Sequence, residues 1–282
     1  MYNIYYLGAQ NSEKVDFCSW PYMVTGGDIF DGEYDEVEED EHIQEFERKI
    51  TDRTLNIEIR ATGASTIQHA VDYLEEVAEK DIISVSPGKL YVGNSYLKCW
   101  LTGTSKDRWV NDLDSISNEL TILSDYPYWI TEEKFTFLRQ EQSGEISPWL
   151  EYPYDVPYEY TKVRNIQYIQ NSNYTDSGFR MIIYGPCINP LVRVAGHIYE
   201  LKTTLYDGEY AIIDSSTRYS KDRKIVKVKI DGTQEDIFNS RNTESEIWKK
   251  IPAGRSIVSW NGDFGFDIIL FNERGTPRWT LS

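Results

Sequence analysis

Leu55, Ile57 and Ile59 alternate with Asn56, Glu58 and Arg60, the period of two that gives a strand one buried face. Past residue 65 the period changes. Ile67, Ala70, Val71, Leu74, Val77 and Ala78 fall on one stripe of a helix over residues 66–80, and Ser65 with Gln68 can form a capping box at its start. Ile82-Ile83-Ser84-Val85, the turn Ser86-Pro87-Gly88-Lys89 and Leu90-Tyr91-Val92 then predict a hairpin, and Tyr96 to Leu101 and Leu120 to Leu123 supply further strands. The first half therefore reads as α+β, a sheet or sandwich with one helix and a hairpin.

From about Gln140 the periodicity stops. Ser143-Gly144-Glu145 and the Pro-aromatic stretch from Pro148 to Pro157 mark a linker. Beyond it come short strands broken by Asp207-Gly208, Asp231-Gly232 and Asn261-Gly262 turns. Val226, Val228 and Ile230 alternate with Lys227 and Lys229, while Ile212-Ile213 and Ile268-Ile269-Leu270-Phe271 are continuous apolar runs. No helix of useful length is expected after residue 150. The pattern predicts an antiparallel β-sandwich, with domains at 1–145 and 146–282. A chain of 282 residues is long enough for two such cores.

Composition supports an ordered globular chain, 40% apolar with 21 Tyr. Cys18, Cys99 and Cys187 have no CxxC spacing and read as buried or free thiols of a protein made under reducing conditions. The N-terminal residues lack the basic and apolar regions of a secretion signal, and no apolar run reaches membrane-spanning length. Charge is more telling. The net charge is -17, of which residues 1–140 carry -15 and residues 141–282 only -2. Such a surface repels nucleic-acid phosphates, which argues against sequence-specific binding and is compatible with DNA sliding past.

Candidate chemistry is sparse. His42, His69 and His197 fall in an acidic segment, on the helix and beside a strand; a triad or metal site would need the fold to bring partners to them. No nucleophile elbow, phosphate loop, HExxH or dinucleotide fingerprint occurs. Carboxylate pairs suited to a glycosidase are too abundant by chance to carry weight. Asp31-Gly32-Glu33-Tyr34-Asp35 alternates oxygen ligands like a calcium loop but lacks the twelve-residue EF-hand spacing. No catalytic, cofactor or metal residue is expected.

Two features remain as candidate surfaces. Asp28 to Glu47 holds eleven acidic residues and no Lys or Arg. It suits a solvated, self-repelling loop, or a two-stranded arm with an acidic tip; in function, Asp35, Glu36, Glu38, Glu39, Asp40 and Glu41 could face a channel through which DNA passes. Trp260-Asn261 could stack a sugar, although alternation in Ser256 to Trp260 favours packing of the indole.

The order of segments is more informative than any one of them. Ser124-Asp125-Tyr126-Pro127-Tyr128-Trp129 and Phe135-Thr136-Phe137 follow the helix and hairpin. Then come Tyr184-Gly185-Pro186, Asn189-Pro190, Leu205-Tyr206-Asp207-Gly208-Glu209-Tyr210, Ile212-Ile213-Asp214, Ile247 to Gly254, and Pro277-Arg278-Trp279. In this order and spacing the chain resembles the distal tail proteins of long-tailed phages over nearly its whole length. The resemblance implies an N-terminal ring-forming domain, a C-terminal galectin-like β-sandwich and six copies around a channel. It also implies a tail tube protein and a tail-tip or tail-associated hub protein as partners, with receptor-binding proteins at the periphery. The expected place is the virion tail tip, after synthesis in the host bacterial cytoplasm, without enzymatic activity, cofactor or membrane contact. A galectin-like fold does not bring sugar binding with it. Two other readings stay open: a carbohydrate-binding host-attachment protein, and the equivalent ring component of a prophage-derived or contractile particle.

Overall fold

The computed structural model describes residues 3–9, 13–39, 42–60, 64–107, 115–140, 165–215 and 223–277. The chain divides into two compact units, residues 1–131 with 273–282 and residues 132–272. The boundary expected at 145/146 and its Pro-aromatic linker lie outside the described residues.

In the first unit β1 (Ile4–Leu7), β2 (Lys14–Asp16), β3 (Tyr22–Gly27), β4 (Asp35–Glu39), β5 (His42–Glu47) and β6 (Thr51–Arg60) precede α1 (Ala64–Ile83). β7 (Gly88–Val92), β8 (Ser95–Lys106), β9 (Ser115–Ser124) and the start of β10 (Trp129–Phe137) follow. The expected strand is β6, with Leu55, Ile57 and Ile59 fully buried, and β6 pairs antiparallel with β3 and β9. β8 is long enough to serve twice: Ser95 to Cys99 pairs with β7, and Trp100 to Lys106 pairs with β9.

The helical stripe is the one expected. Ile67, Ala70, Leu74, Val77 and Ala78 are buried, and Val71 packs against the same core. The helix begins at Ala64, so Ser65 lies in its first turn and not ahead of it as a cap. Its far end is anchored by a polar contact in the core. Buried Asp81 accepts Tyr6 Oη at 2.7 Å and the Ala9 amide at 2.9 Å, which ties α1 to β1.

Ile82 and Ile83 are not a strand but the last residues of α1, and the hairpin runs instead from β7 to β8. A short apolar run reads alike as a strand or as a helix end. The run stops only because Ser84 and Val85 form the turn, Val85 at φ 50°, ahead of Pro87.

The second unit contains the rest of β10, then β11 (Asn165–Asn171), β12 (Gly178–Tyr184), β13 (Cys187–Ile188), β14 (Leu191–Val194), β15 (His197–Glu200) and β16 (Thr204–Leu205). β17 (Tyr210–Asp214), β18 (Lys224–Val228), β19 (Gln234–Asp236), β20 (Gly254–Trp260) and β21 (Phe266–Arg274) follow; β21 ends in the first unit. One sheet runs β19-β18-β17-β12-β21 and the other β11-β20-β14-β15, with antiparallel pairing in both. Apolar side chains from both enclose one core, in which Phe179 of β12 meets Tyr199 of β15 edge-on at 5.2 Å. Among the described residues beyond 150 the one helical stretch is a three-residue 3₁₀ turn, Phe238–Ser240. Gly208, Gly232 and Gly262 of the expected turn dipeptides all take positive φ.

The phase of β18 differs from the expected one. Ile225 and Lys227 point inward beside buried Val228, Val226 is only half-buried and Ile230 is exposed in the turn. An alternating strand reads equally well in either phase until its neighbours are known. The buried position of Lys227 is made tolerable by Glu209 and by the Thr204 carbonyl, 3.0 Å from Nζ.

Candidate assembly interface

The acidic segment folds as a two-stranded arm. β4 and β5 pair antiparallel as a sheet of their own, with Asp35 opposite Glu47, Glu36 opposite Phe46 and Val37 opposite Glu45. A bulge follows, after which Glu38 faces Ile43 and Glu39 faces His42. Directly paired residues share a face. One face therefore carries Asp35, Glu45 and Glu47 around Val37; the other carries Glu36 and Glu38 beside Phe46 and Ile43. Phe46 and Ile43 are 59% and 56% exposed.

Of the six residues expected on a channel strip, Asp35, Glu36 and Glu38 lie on this arm, Glu36 and Glu38 exposed and Asp35 half-exposed, its carboxylate 3.6 Å from the Lys49 ammonium. Glu39 occupies the last position of β4, while Asp40 and Glu41 lie outside the described residues. The exposed apolar pair on the arm was not anticipated. The available signal was the presence of Val37, Ile43 and Phe46 within an otherwise acidic run.

The calcium-loop-like segment Asp31–Asp35 forms the approach to the arm. The Asp28 and Asp31 carbonyls accept hydrogen bonds from Arg53 Nη1, and the Asp28 carboxylate accepts the Thr54 amide at 2.5 Å. Of the Asp31–Asp35 segment, the guanidinium thus takes the backbone carbonyl of Asp31. Burial lowers the pKa of Arg53, with Arg48 nearby adding to the shift. Among the described residues no group of three His, Cys, Asp or Glu side chains converges on a metal position.

The histidines do not assemble a reactive site. His42 is exposed on the arm and His69 on α1. His197 Nε2 lies 2.7 Å from the Glu246 carbonyl and 3.3 Å from Ser245 Oγ. A carbonyl only accepts, so Nε2 carries the proton and is no base toward Ser245, whose hydroxyl donates to the Ile198 carbonyl at 2.6 Å.

Trp260 is 3% exposed. Its Nε1 donates to the Phe264 carbonyl at 3.0 Å, and its ring packs edge-on against Phe137 and Phe266 at 5.7 and 5.2 Å. Enclosed in the core, the indole offers no platform for a sugar, and Asn261 beside it is engaged with Asp263 at 2.8 Å. No helix among the described residues is long and apolar enough to cross a membrane.

No protein-family model and no curated protein sequence matches the chain. Solved structures do match it, almost end to end. The SPP1 Dit (gp 19.1) protein, described as a paradigm of the hub adsorption apparatus in phages infecting Gram-positive hosts, aligns with TM-score 0.57 at 8% identity, over 97% of this chain and 99% of that one. A chain of the phage P2 baseplate in its activated conformation with Ca aligns with TM-score 0.62 at 12% identity, and one of the same baseplate with Sr with TM-score 0.61 at 13%; each covers 98% of this chain and 99% of its own. The resemblance read from the order of segments is therefore met in three dimensions: over nearly its whole length the chain has the fold of a phage distal tail protein and of phage baseplate chains.

Proposed function

We propose that the chain is a structural, non-enzymatic subunit of a phage tail tip, forming a ring, six copies around, between tail tube and tail-tip hub. The observation that carries this reading is the end-to-end fold match to a distal tail protein and to baseplate chains. On this reading the first unit builds the ring. The second unit, a two-sheet sandwich of galectin-like type, docks peripheral proteins such as receptor-binding proteins.

The arm supplies the physical support. A two-stranded hairpin is marginal by itself in water, and here Asp35 stands directly opposite Glu47, a like-charge pair that weakens it further. Exposed Phe46 and Ile43 on one face would gain by burial against a neighbouring copy. The face with Asp35, Glu45 and Glu47 would then turn to the channel, where like charge keeps passing DNA from adhering, while Glu36 and Glu38, on the face of Phe46, would border the contact between copies. Head-to-tail contacts of this kind close into a ring when the rotation between copies allows.

Light scattering and negative-stain imaging of the full chain, alone and with its tail tube and hub partners, test this reading. Rings are expected in wild type, and loss of rings with retained folding is expected for the double substitution Ile43→Asp, Phe46→Asp. A folded chain that stays monomeric under every one of these conditions would sink the reading.

A further inference from the structure

The residues bordering the arm on its two sides meet at one place. Tyr34 comes just before β4 and Arg48 just after β5. The Arg48 guanidinium lies 5.2 Å from the Tyr34 ring and 5.8 Å from the Tyr128 ring, and its Nη1 donates to the Gly275 carbonyl. Although next to an exposed strand, Arg48 is only 2% exposed. Among the described residues, a carbonyl and two aromatic faces hold the charge, a role for a flat guanidinium more than for an ammonium.

The segment after Asn272 completes the grip. A Cβ at Gly275 would lie 2.5 Å from Tyr34 Oη and 2.8 Å from Arg48 Nη1, and one at Gly32 would lie 2.7 Å from Thr276 Cγ2. A side chain at either position would have to displace the group it meets. Tyr126 Oη donates to Glu273 at 2.5 Å, holding the same segment two residues earlier. Residues more than two hundred positions apart thus share one contact.

We propose that Arg48 is a positioning residue for the arm: with Tyr34 it locks both roots of the β4–β5 hairpin onto Gly275, so that the end of β21 sets the direction in which the arm points. A hairpin fixed only at its base acts as a lever, and a small freedom at the root becomes a wide sweep at Gln44. The consequence for assembly rests on the ring reading above. The positioning itself does not.

The test is a pulsed spin-label distance measurement on the full chain, with labels at Gln44→Cys on the arm and Glu79→Cys on the exposed side of α1, in a Cys18→Ser background. Labelled chain is diluted into unlabelled chain so that only distances within one copy are read. A single narrow distribution is expected for this background. Loss of that narrow peak is expected on adding Arg48→Ala or Gly275→Val, with an unchanged far-ultraviolet circular dichroism spectrum, and partial recovery with Arg48→Lys. Should Arg48→Ala fail to fold, Gly275→Ala gives the same reading with a smaller intrusion. A narrow peak in any folded variant lacking the grip overturns the proposal, whatever the rings do. A broadened arm with rings still closing upholds the positioning and counts against the arm as the ring contact.

Discussion

Lys227 Nζ lies 2.8 Å from the Glu209 carboxylate inside the second unit, the two side chains only 10% and 11% exposed. The same carboxylate accepts the Tyr206 amide at 2.8 Å, so the pair pins the turn before β17 to β18. Removing one partner strands the other charge, whereas an apolar pair of similar size can replace both. Lys227→Met is therefore expected to lower the melting temperature of the second unit by roughly 5–10 °C, and Lys227→Met with Glu209→Gln by less. Differential scanning calorimetry on both variants checks this.

The hydrogen bond from Lys227 holds the Glu209 carboxyl below the ordinary carboxylate range. A lowered folded-state pKa contributes stability that is present above the unfolded value, about 4.3, and is lost as pH falls through the folded one. Denaturation midpoints of the second unit should therefore drop on acidification below about pH 4, and Glu209→Gln should flatten that dependence. An equally steep profile in Glu209→Gln would assign the acid sensitivity elsewhere.

Leu74 and Ile83 both belong to α1, yet Leu74 is fully buried and Ile83 is 81% exposed. Leu74→Ala should cost about 3 kcal/mol and Ile83→Ala less than about 0.5 kcal/mol, read by urea denaturation. A strand placed at Ile82 to Val85 would reverse the expectation for Ile83. This pair marks what the sequence could disclose. Helix 64–83 announces itself through six apolar positions on one stripe, and β6 through three alternating ones. The helix end does not, because Ile82-Ile83 lack any partner pattern and the stop comes from a turn and a proline beyond them.

Trp260 joins Phe137 and Phe266 in the sandwich core. Truncating it to Ala should cost about 3–5 kcal/mol of stability in the second unit, while Trp260→Phe should cost less and leave folding intact. Equilibrium unfolding followed by near-ultraviolet circular dichroism separates the two. A Trp260→Ala variant as stable as wild type would place the indole outside the core.

Cys18 is exposed, whereas burial pushes the Cys99 thiol up to about 12 and the Cys187 thiol to about 11. Iodoacetamide at mildly alkaline pH should add one label to the native chain, at Cys18, and three after unfolding. Intact-mass spectrometry counts them. Rapid native labelling of Cys99 would contradict the closed packing of β8 under α1.

The arm was half legible. Its acidity was plain, and a two-stranded arm and a loop fitted it equally well, since Asp and Glu disfavour strands while Val37, Ile43 and Phe46 favour them. The contacts that fix its root were not legible at all. Arg48 and Gly275 meet only because β21 ends in the first unit, a return that no local period encodes. Lys227 illustrates the same limit, because alternation yields a strand but its inward phase comes from Glu209 and the neighbouring strand.

The proposed ring reading puts the acidic arm at the border of a channel. A cryo-electron microscopy reconstruction of the assembled tail tip tests it most directly, with the first unit fitted to the density. A closed ring is expected, with Asp35 and Glu45 toward the axial lumen and Phe46 covered by the neighbouring copy. A chain found outside any ring, or a ring with these carboxylates on its outer rim, would contradict it.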